Sequence, residues 1–399
     1  MLPTANRHAN SSIPQRDAAD RARVAVAMTF GLNGLAFASW VSRLPAIKAG
    51  LGLTAGRMGL LLLCLSAGTL IALPMSGALV QRIGPARAVG AGVAAVTAGT
   101  LLIAFGVHLA VVPVVAAGLL VSGLGMSTWD VSMNVQGADV ERQLQRTLMP
   151  RFHAAFSLGA VAGALVGAAS AAGGVPVFAQ LALTAPLVAV TAIVALRSFL
   201  PMDVEQHDVY GGRHRLVAAW QDSRTRLVGV LVLAFALTEG VANDWLALAV
   251  TDGVRATEWL GSFTFGAFVL AMTAMRFNGG WFLQRFGRVA VLRATAAVAM
   301  AGALLVAAAP SVPVAVAGAV LWGAGASLGF PVGMSAAADD PSSAAARVSV
   351  VSTIGYTAFL AGPPLVGLLA DAIGVQPSLL VVVLAASVGL VVAPSTRDR

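Results

Sequence analysis

Twelve apolar runs divide this chain, and they constrain its fold more tightly than any motif does. They cover approximately 22–44, 57–80, 88–107, 112–136, 151–171, 176–199, 225–250, 258–280, 289–309, 313–336, 344–370 and 377–393. A helix needs about 20 mostly apolar residues to cross a bilayer. The chain is 58% hydrophobic and 11% charged over 399 residues, whereas a soluble domain carries roughly 25% charged residues. So little polar surface would not cover a water-soluble body of this size. The runs are continuous, where a membrane barrel would show alternating segments of about ten residues. An all-α membrane protein with twelve transmembrane helices is predicted.

The basic residues orient it. Lys and Arg outnumber Asp and Glu by 25 to 17, but the excess lies in short clusters between runs. That distribution is a topology signal and does not form a nucleic-acid-binding face. With the amino terminus inside, Arg43, Lys48, Arg57 and Arg255 fall in outside loops. The others fall on the inside or near inner helix ends, among them Arg82, Arg87, Arg142, Arg146, Arg224, Arg226 and Arg288. Both termini are therefore expected in the cytoplasm and the protein in the bacterial inner membrane. The polar stretch 1–21 lacks the apolar core of a signal peptide and reads as a tail. Cys64, alone in an apolar run, reads as a packing residue. The polar segment PMDVEQHDVYGGRHRLVAAWQDSRTR falls after the sixth run. The expected layout is a tail (1–21), a six-helix bundle (22–200), a linker (201–224), a second bundle (225–393) and a tail (394–399).

The two bundles repeat one another. GALVQRIG (Gly77 to Gly84) follows run two, and GWFLQRFG (Gly280 to Gly287) follows run eight, with one G-x-x-x-Q-R-x-G spacing. Arg151 precedes Gly159 in run five by the spacing with which Arg347 precedes Gly355 in run eleven. GLGMS and GAGAS, beginning at Gly123 and Gly323, match in runs four and ten. Twelve spans in two related halves, with a Gly-and-Arg turn after spans two and eight, resemble the major facilitator superfamily. Its loop signature has an acid where Gln81 and Gln284 stand here. The resemblance implies that this acid helps to latch the inner ends of the halves, and its absence leaves Arg82 and Arg285 to bond helix C-termini. ASWVSRLPAIKAGLGLT, WDVSMNVQGADVERQ and LMPRFHAAFSLG resemble the fucose-permease branch. That branch carries an acid four residues before an Asn in span four, as do Asp130 and Asn134. Its span-one acid is replaced by Val41, so the match is partial.

Three acids, Asp130, Glu239 and Asp244, fall within spans. A charge at the bilayer centre costs about 2.5–3.5 kcal/mol on insertion scales, so such residues usually face a cavity and mark a pathway. Asp130 and Asn134, and likewise Glu239 and Asn243, are spaced i, i+4 and share a helix face. The counterpart of Asp130 in span ten is Phe330, so fold symmetry does not demand a charge there. The resemblance implies that spans one, four, seven and ten line a central cavity. Asn33, Asp130, Asn134, Glu239 and Asn243 are then expected to meet near the midplane, where secondary transporters bind substrate. Trp40, Trp129, Trp245 and Trp322 lie in the same four spans, suited either to stacking on a sugar ring or to packing between helices. Tyr356 and Phe359 read as packing. His153, beside Arg151, reads as bonding near the inner surface, with a gate or proton relay as the alternative. AGPPLVG (Ala361 to Gly367) is expected to kink or break span eleven.

No phosphate loop, nucleophile elbow or metal-ligand cluster is legible, so an enzyme and a cofactor are not expected. The expected function is secondary transport of a small polar solute, a sugar-like compound being one candidate, by alternating access. Proton symport through Asp130 or Glu239 is the first reading, with Arg82, Arg151, His153, Arg285 and Arg347 as gate residues. Proton-driven export of drugs or metabolites is the alternative, and a non-transporting membrane sensor the third. The expected partners are the solute, protons and the lipid bilayer, with the protein a monomer.

Overall fold

Within lipid every backbone N–H and C=O must be paired inside the protein, and a helix does this within a single segment. The computed structural model describes residues 12–146, 148–201, 212–340 and 343–397. Twelve of its helices are long and apolar enough to cross a membrane. They are α1 (Asp17–Val41), α2 (Ala55–Ile83), α3 (Pro85–His108), α4 (Val112–Leu144), α5 (Met149–Ala172) and α6 (Val177–Leu196). The second half comprises α7 (Ser223–Gly253), α8 (Glu258–Phe286), α9 (Arg288–Ala307), α10 (Val312–Ala337), α11 (Ala346–Ile373) and α12 (Val375–Thr396). A short helix over Leu44–Gly50 follows α1. Another, Gly212–Gln221, lies within the expected linker, whose residues 202–211 fall outside the described ones.

The repeat is visible in the backbone. Gly84 ends α2 at φ 80°, ψ 157°, and Gly287 ends α8 at φ 77°, ψ 159°. That region is essentially open to glycine alone, which explains why both copies of the loop motif close on one. Small residues set the helix spacing. A Cβ on Gly159 of α5 would collide with the carbonyl of Gly31 in α1, so this seam closes to backbone contact as in other membrane bundles.

The halves join along α2 with α11 and along α5 with α8. The face where α1 begins and α12 ends is termed the terminal face, and its opposite the far face. One apolar core at the far side draws on both halves, including Trp40, Met58, Trp245, Phe265 and Val366. The cores toward the terminal face stay within one half, that around Phe30, Trp129 and Phe152 in the first and that around Phe235 and Leu292 in the second. The halves thus pack together at the far side and part toward the terminal face, leaving a cleft between them.

Three expectations about the spans are corrected. Span ten is discontinuous: one helix ends at Ala326 and the next starts at Gly329. Span eleven continues as helix through Pro363 and Pro364. It is therefore not broken, and the carbonyl of Phe359, which Pro363 leaves without an N–H partner, accepts a 2.7 Å hydrogen bond from Ser66 Oγ of α2. Span eight runs on as helix to Phe286, so Arg276 lies well inside α8.

Candidate functional site

The cleft draws its side chains from six helices, α4, α5, α7, α8, α10 and α11, with different means of placing polar groups. In α4, Asn134 Nδ2 donates to the main-chain oxygen of Asp130 at 2.9 Å and to its carboxylate at 3.2 Å. This i, i+4 bond holds the Asp130 side chain, which is exposed, on the cleft face. Across from it, Tyr356 of α11 lies within electrostatic reach of Asp130. Tyr356 is one ring of a trio, 6.3 Å from Phe330 and 6.2 Å from Phe359. Phe330, the counterpart of Asp130 in span ten, thus stands on the opposing wall, with the two rings of α11.

On the other side of the cleft, Arg276 Nη2 donates to Glu239 Oε2 at 2.9 Å. Arg276 Nε donates to the main-chain oxygen of Ser327 at 3.0 Å. Ser327 lies in the break of α10, and its carbonyl is left for another donor because Pro331, four residues on, has no N–H. One guanidinium therefore ties α7, α8 and the discontinuity of α10 together, and unwound carbonyls lining a cavity are a recurrent device of transporters. His153 of α5 faces this group across the cleft, exposed and within electrostatic reach of Arg276. Its ring stands edge-on to Phe30 at 5.2 Å. Asp244 lies about 7.5 Å farther along α7 than Glu239, by the helical rise. It is half-buried and makes no hydrogen bond or ion pair among the described residues. Asn243, half-buried, is likewise without one.

The structure does not bring every expected residue to this cleft. Asn33 is 3% exposed and its Nδ2 lacks a hydrogen-bond partner inside the first half. Trp40, Trp129, Trp245 and Trp322 are fully buried, so in this conformation they pack between helices and offer no open ring face. Trp322 Nε1 donates to the Thr238 carbonyl at 3.0 Å, which anchors α10 on α7. Arg82, Arg151 and Arg285 are exposed and make no ion pair among the described residues. Arg347 pairs with Asp222 at 3.7 Å within its own half. No ion pair between the halves is seen for these four in this state.

The polar closure lies instead at the far face. Arg43, 2% exposed, is bonded through Nε to Glu258 at the start of α8. Its other nitrogens donate to Gln180 Oε1 at 2.6 Å and to the Val175 carbonyl at 3.0 Å. Gln180 Nε2 in turn donates to the Ser39 carbonyl at 2.9 Å, and Ser262 Oγ donates to the Ser42 carbonyl at 2.6 Å. Lys48 and Asp252 pair at 2.7 Å, and Thr54 donates to Asp371 at 3.0 Å. Near the terminal face the acids pair within their own halves. Asp339 bridges Arg224 and Arg288, and Asp139 holds Arg142. Burial raises the Asp339 carboxyl, but hydrogen bonds from Arg224 and Arg288 outweigh it and hold it below the ordinary aspartate range. Among the described residues no group of three or more His, Cys, Asp or Glu is placed to hold a metal ion.

Sequence reasoning missed Arg276 and the Arg43 cluster. A lone arginine in LAMTAMRFNGG was a legible signal for the first. The second depends on partners distant in sequence.

Two helical bundles closed at one face, with carboxylates in the parting between them, define a membrane transporter of the two-bundle type. The chain is 33% identical over 384 residues to the uncharacterised transporter y4wD of Sinorhizobium fredii, spanning 94% of this chain and 97% of that one. It is 31% identical over 364 residues to an uncharacterised MFS-type transporter of Yersinia pestis, spanning 88% and 89%. The chain belongs to the major facilitator superfamily and is a transporter, not an enzyme. Its fold is that of FucP, the E. coli fucose:proton symporter, in the outward conformation, at TM-score 0.66 and 15% identity over 94% of this chain and 99% of FucP. No family model matches the chain.

Proposed function

We propose that the protein is a proton-coupled symporter that moves a small polar solute across the bacterial inner membrane by alternating access. The termini lie in the cytoplasm, the chain acts as a monomer, and the cleft opens inward in this state. The observation that carries the reading is the unequal treatment of the cleft acids. Glu239 is neutralised by Arg276, whereas Asp130 is exposed to the cleft with only a neutral amide as partner. An unpaired carboxylate at this depth is favoured only if it binds a proton or a solute. Asp244 is unpaired too but half-buried, so the proton is assigned to Asp130, the exposed acid, and Glu239 with Arg276 and Asn243 offers donors and acceptors to the solute. Rocking of the halves would first require release of the far-face contacts of Arg43.

The test begins with ligand-induced thermal stabilisation against sugars, polyols, small acids and cationic amphiphiles. Proteoliposomes with the best ligand then report uptake against a proton gradient. Asp130→Asn should lose accumulation and solute-driven alkalinisation while keeping counterflow exchange. A variant that still accumulates solute with the gradient collapsed, as wild type also would, removes the proton from the scheme. The opposition of Asp130 to the Phe330, Tyr356 and Phe359 rings supports a second reading, transport of a cationic solute, since ammonium groups favour aromatic faces. Stabilisation by amphiphilic cations alone would favour it.

A further inference from the structure

The outer seam between α1 and α5 carries a groove that the cleft does not use. Its volume is about 470 Å³, and its floor is apolar, formed by Val24, Met28, Leu148 and Phe152. Arg23 and Arg151 stand in its lining. Val24 and Met28 are 53% and 42% exposed, while Val26 and Phe30, on the opposite side of the same helix, are fully buried. The groove thus faces away from the core of its bundle. Arg151 is also turned away from the cleft, since His153, two residues on, occupies the cleft side of α5.

An open apolar groove with two arginines among its lining residues has a specific complement in a membrane. Arg151 lies in the first turn of α5 and Arg23 within two turns of the start of α1, so both sit where the spans leave the apolar layer. Arg151 makes no ion pair among the described residues. Arg23 has only a loose 3.5 Å contact with Asp20, both side chains being exposed. A phosphodiester fits two guanidinium forks through charge-assisted bonds, and basic pockets between spans take anionic head groups. A zwitterionic head group would bring an ammonium against the same two arginines. We propose that this groove is a binding site for an anionic phospholipid, its phosphate held by Arg23 and Arg151 and one acyl chain laid over Val24 and Met28. The site would bear on transport, because Phe152 stacks on Phe30 at 5.7 Å and Phe30 touches His153.

The test uses the full chain in detergent with phosphatidylglycerol and phosphatidylcholine of identical acyl chains at equal concentration, read by native mass spectrometry. Phosphatidylglycerol should be retained in preference, and Arg23→Gln with Arg151→Gln should reduce it to the phosphatidylcholine level. Met28→Trp keeps both charges and fills the floor, so it should also lose the bound lipid. It guards against misfolding of the double variant. Equal retention of the two lipids, or undiminished retention by Met28→Trp or by the folded double variant, overturns the proposal. Thermal stabilisation by sn-glycerol 3-phosphate equal to that by phosphatidylglycerol would also overturn it, because the site would then hold a free anion and not a lipid.

Discussion

If the Arg43 cluster holds the far face shut, Glu258→Gln should open it. The substitution preserves side-chain volume but replaces a charged acceptor with a neutral one, while Gln180 and the Val175 carbonyl still hold the guanidinium. A hydrogen bond to a charged group contributes about 1.5–3 kcal/mol. Glu258 is 28% exposed, so screening favours the lower figure, about 1.5 kcal/mol. The contact joins the halves and exists only while the far face is closed, so its loss acts on the conformational equilibrium. At ~1.4 kcal/mol per factor of ten, the far-open population should rise about tenfold. Ala164 reports it: it is fully buried on α5 and packs against Gly266 of α8 across the seam. A cysteine there, with Cys64 replaced by serine, should be alkylated about ten times faster in the Glu258→Gln background. Lys48→Gln is the internal comparison. Its pair with Asp252 is more exposed, and such pairs contribute about 0–1 kcal/mol, so its effect should be a few-fold at most. Equal alkylation in the wild-type and Glu258→Gln backgrounds would refute the latch.

Three further predictions follow from particular contacts. Arg276→Gln strands the Glu239 carboxylate inside the membrane, whereas Arg276→Gln with Glu239→Gln does not; by thermal unfolding the double variant should be less destabilised than the sum of the singles by about 1–3 kcal/mol, and additivity would show that the two groups do not interact. Ser66→Ala leaves the Phe359 carbonyl without its donor beside Pro363 and should cost about 1–3 kcal/mol, while Thr191→Ala, where the hydroxyl only back-bonds within α6, should cost little. The Asp339 carboxyl is held below its ordinary value of 3.8, so its contribution is present above that value and lost as the pH falls through the lower folded-state value. Asp339→Asn should accordingly destabilise at neutral pH and converge with wild type in strong acid; an equal deficit at both would assign the loss to packing.

The apolar runs determined the spans, because a helix in lipid needs only local sequence: length, low charge and glycine at the turns. The repeat was legible for the same reason, since Gly84 and Gly287 meet one backbone requirement wherever their halves sit. Asp130 and Asn134 could be paired from their spacing alone, and their bond is intrahelical. The break in α10 did have a local signal, since Pro331 has no N–H for the Ser327 carbonyl four residues before it; what no segment encodes is that Arg276 of another helix takes that carbonyl. Nor was it legible that four tryptophans would be buried, since an amphipathic ring suits a cleft wall and a helix seam alike. The far-face cluster was hidden for a related reason. Charge patterns show which arginines lie at helix ends, but an ion pair needs a partner within about 4 Å, and Arg43, Gln180 and Glu258 are brought together only when two bundles fold and dock. Sequence determined which segments cross the membrane and which acids lie within it. Tertiary structure decided which of those charges are neutralised, because pairing depends on distances between helices that no single segment encodes.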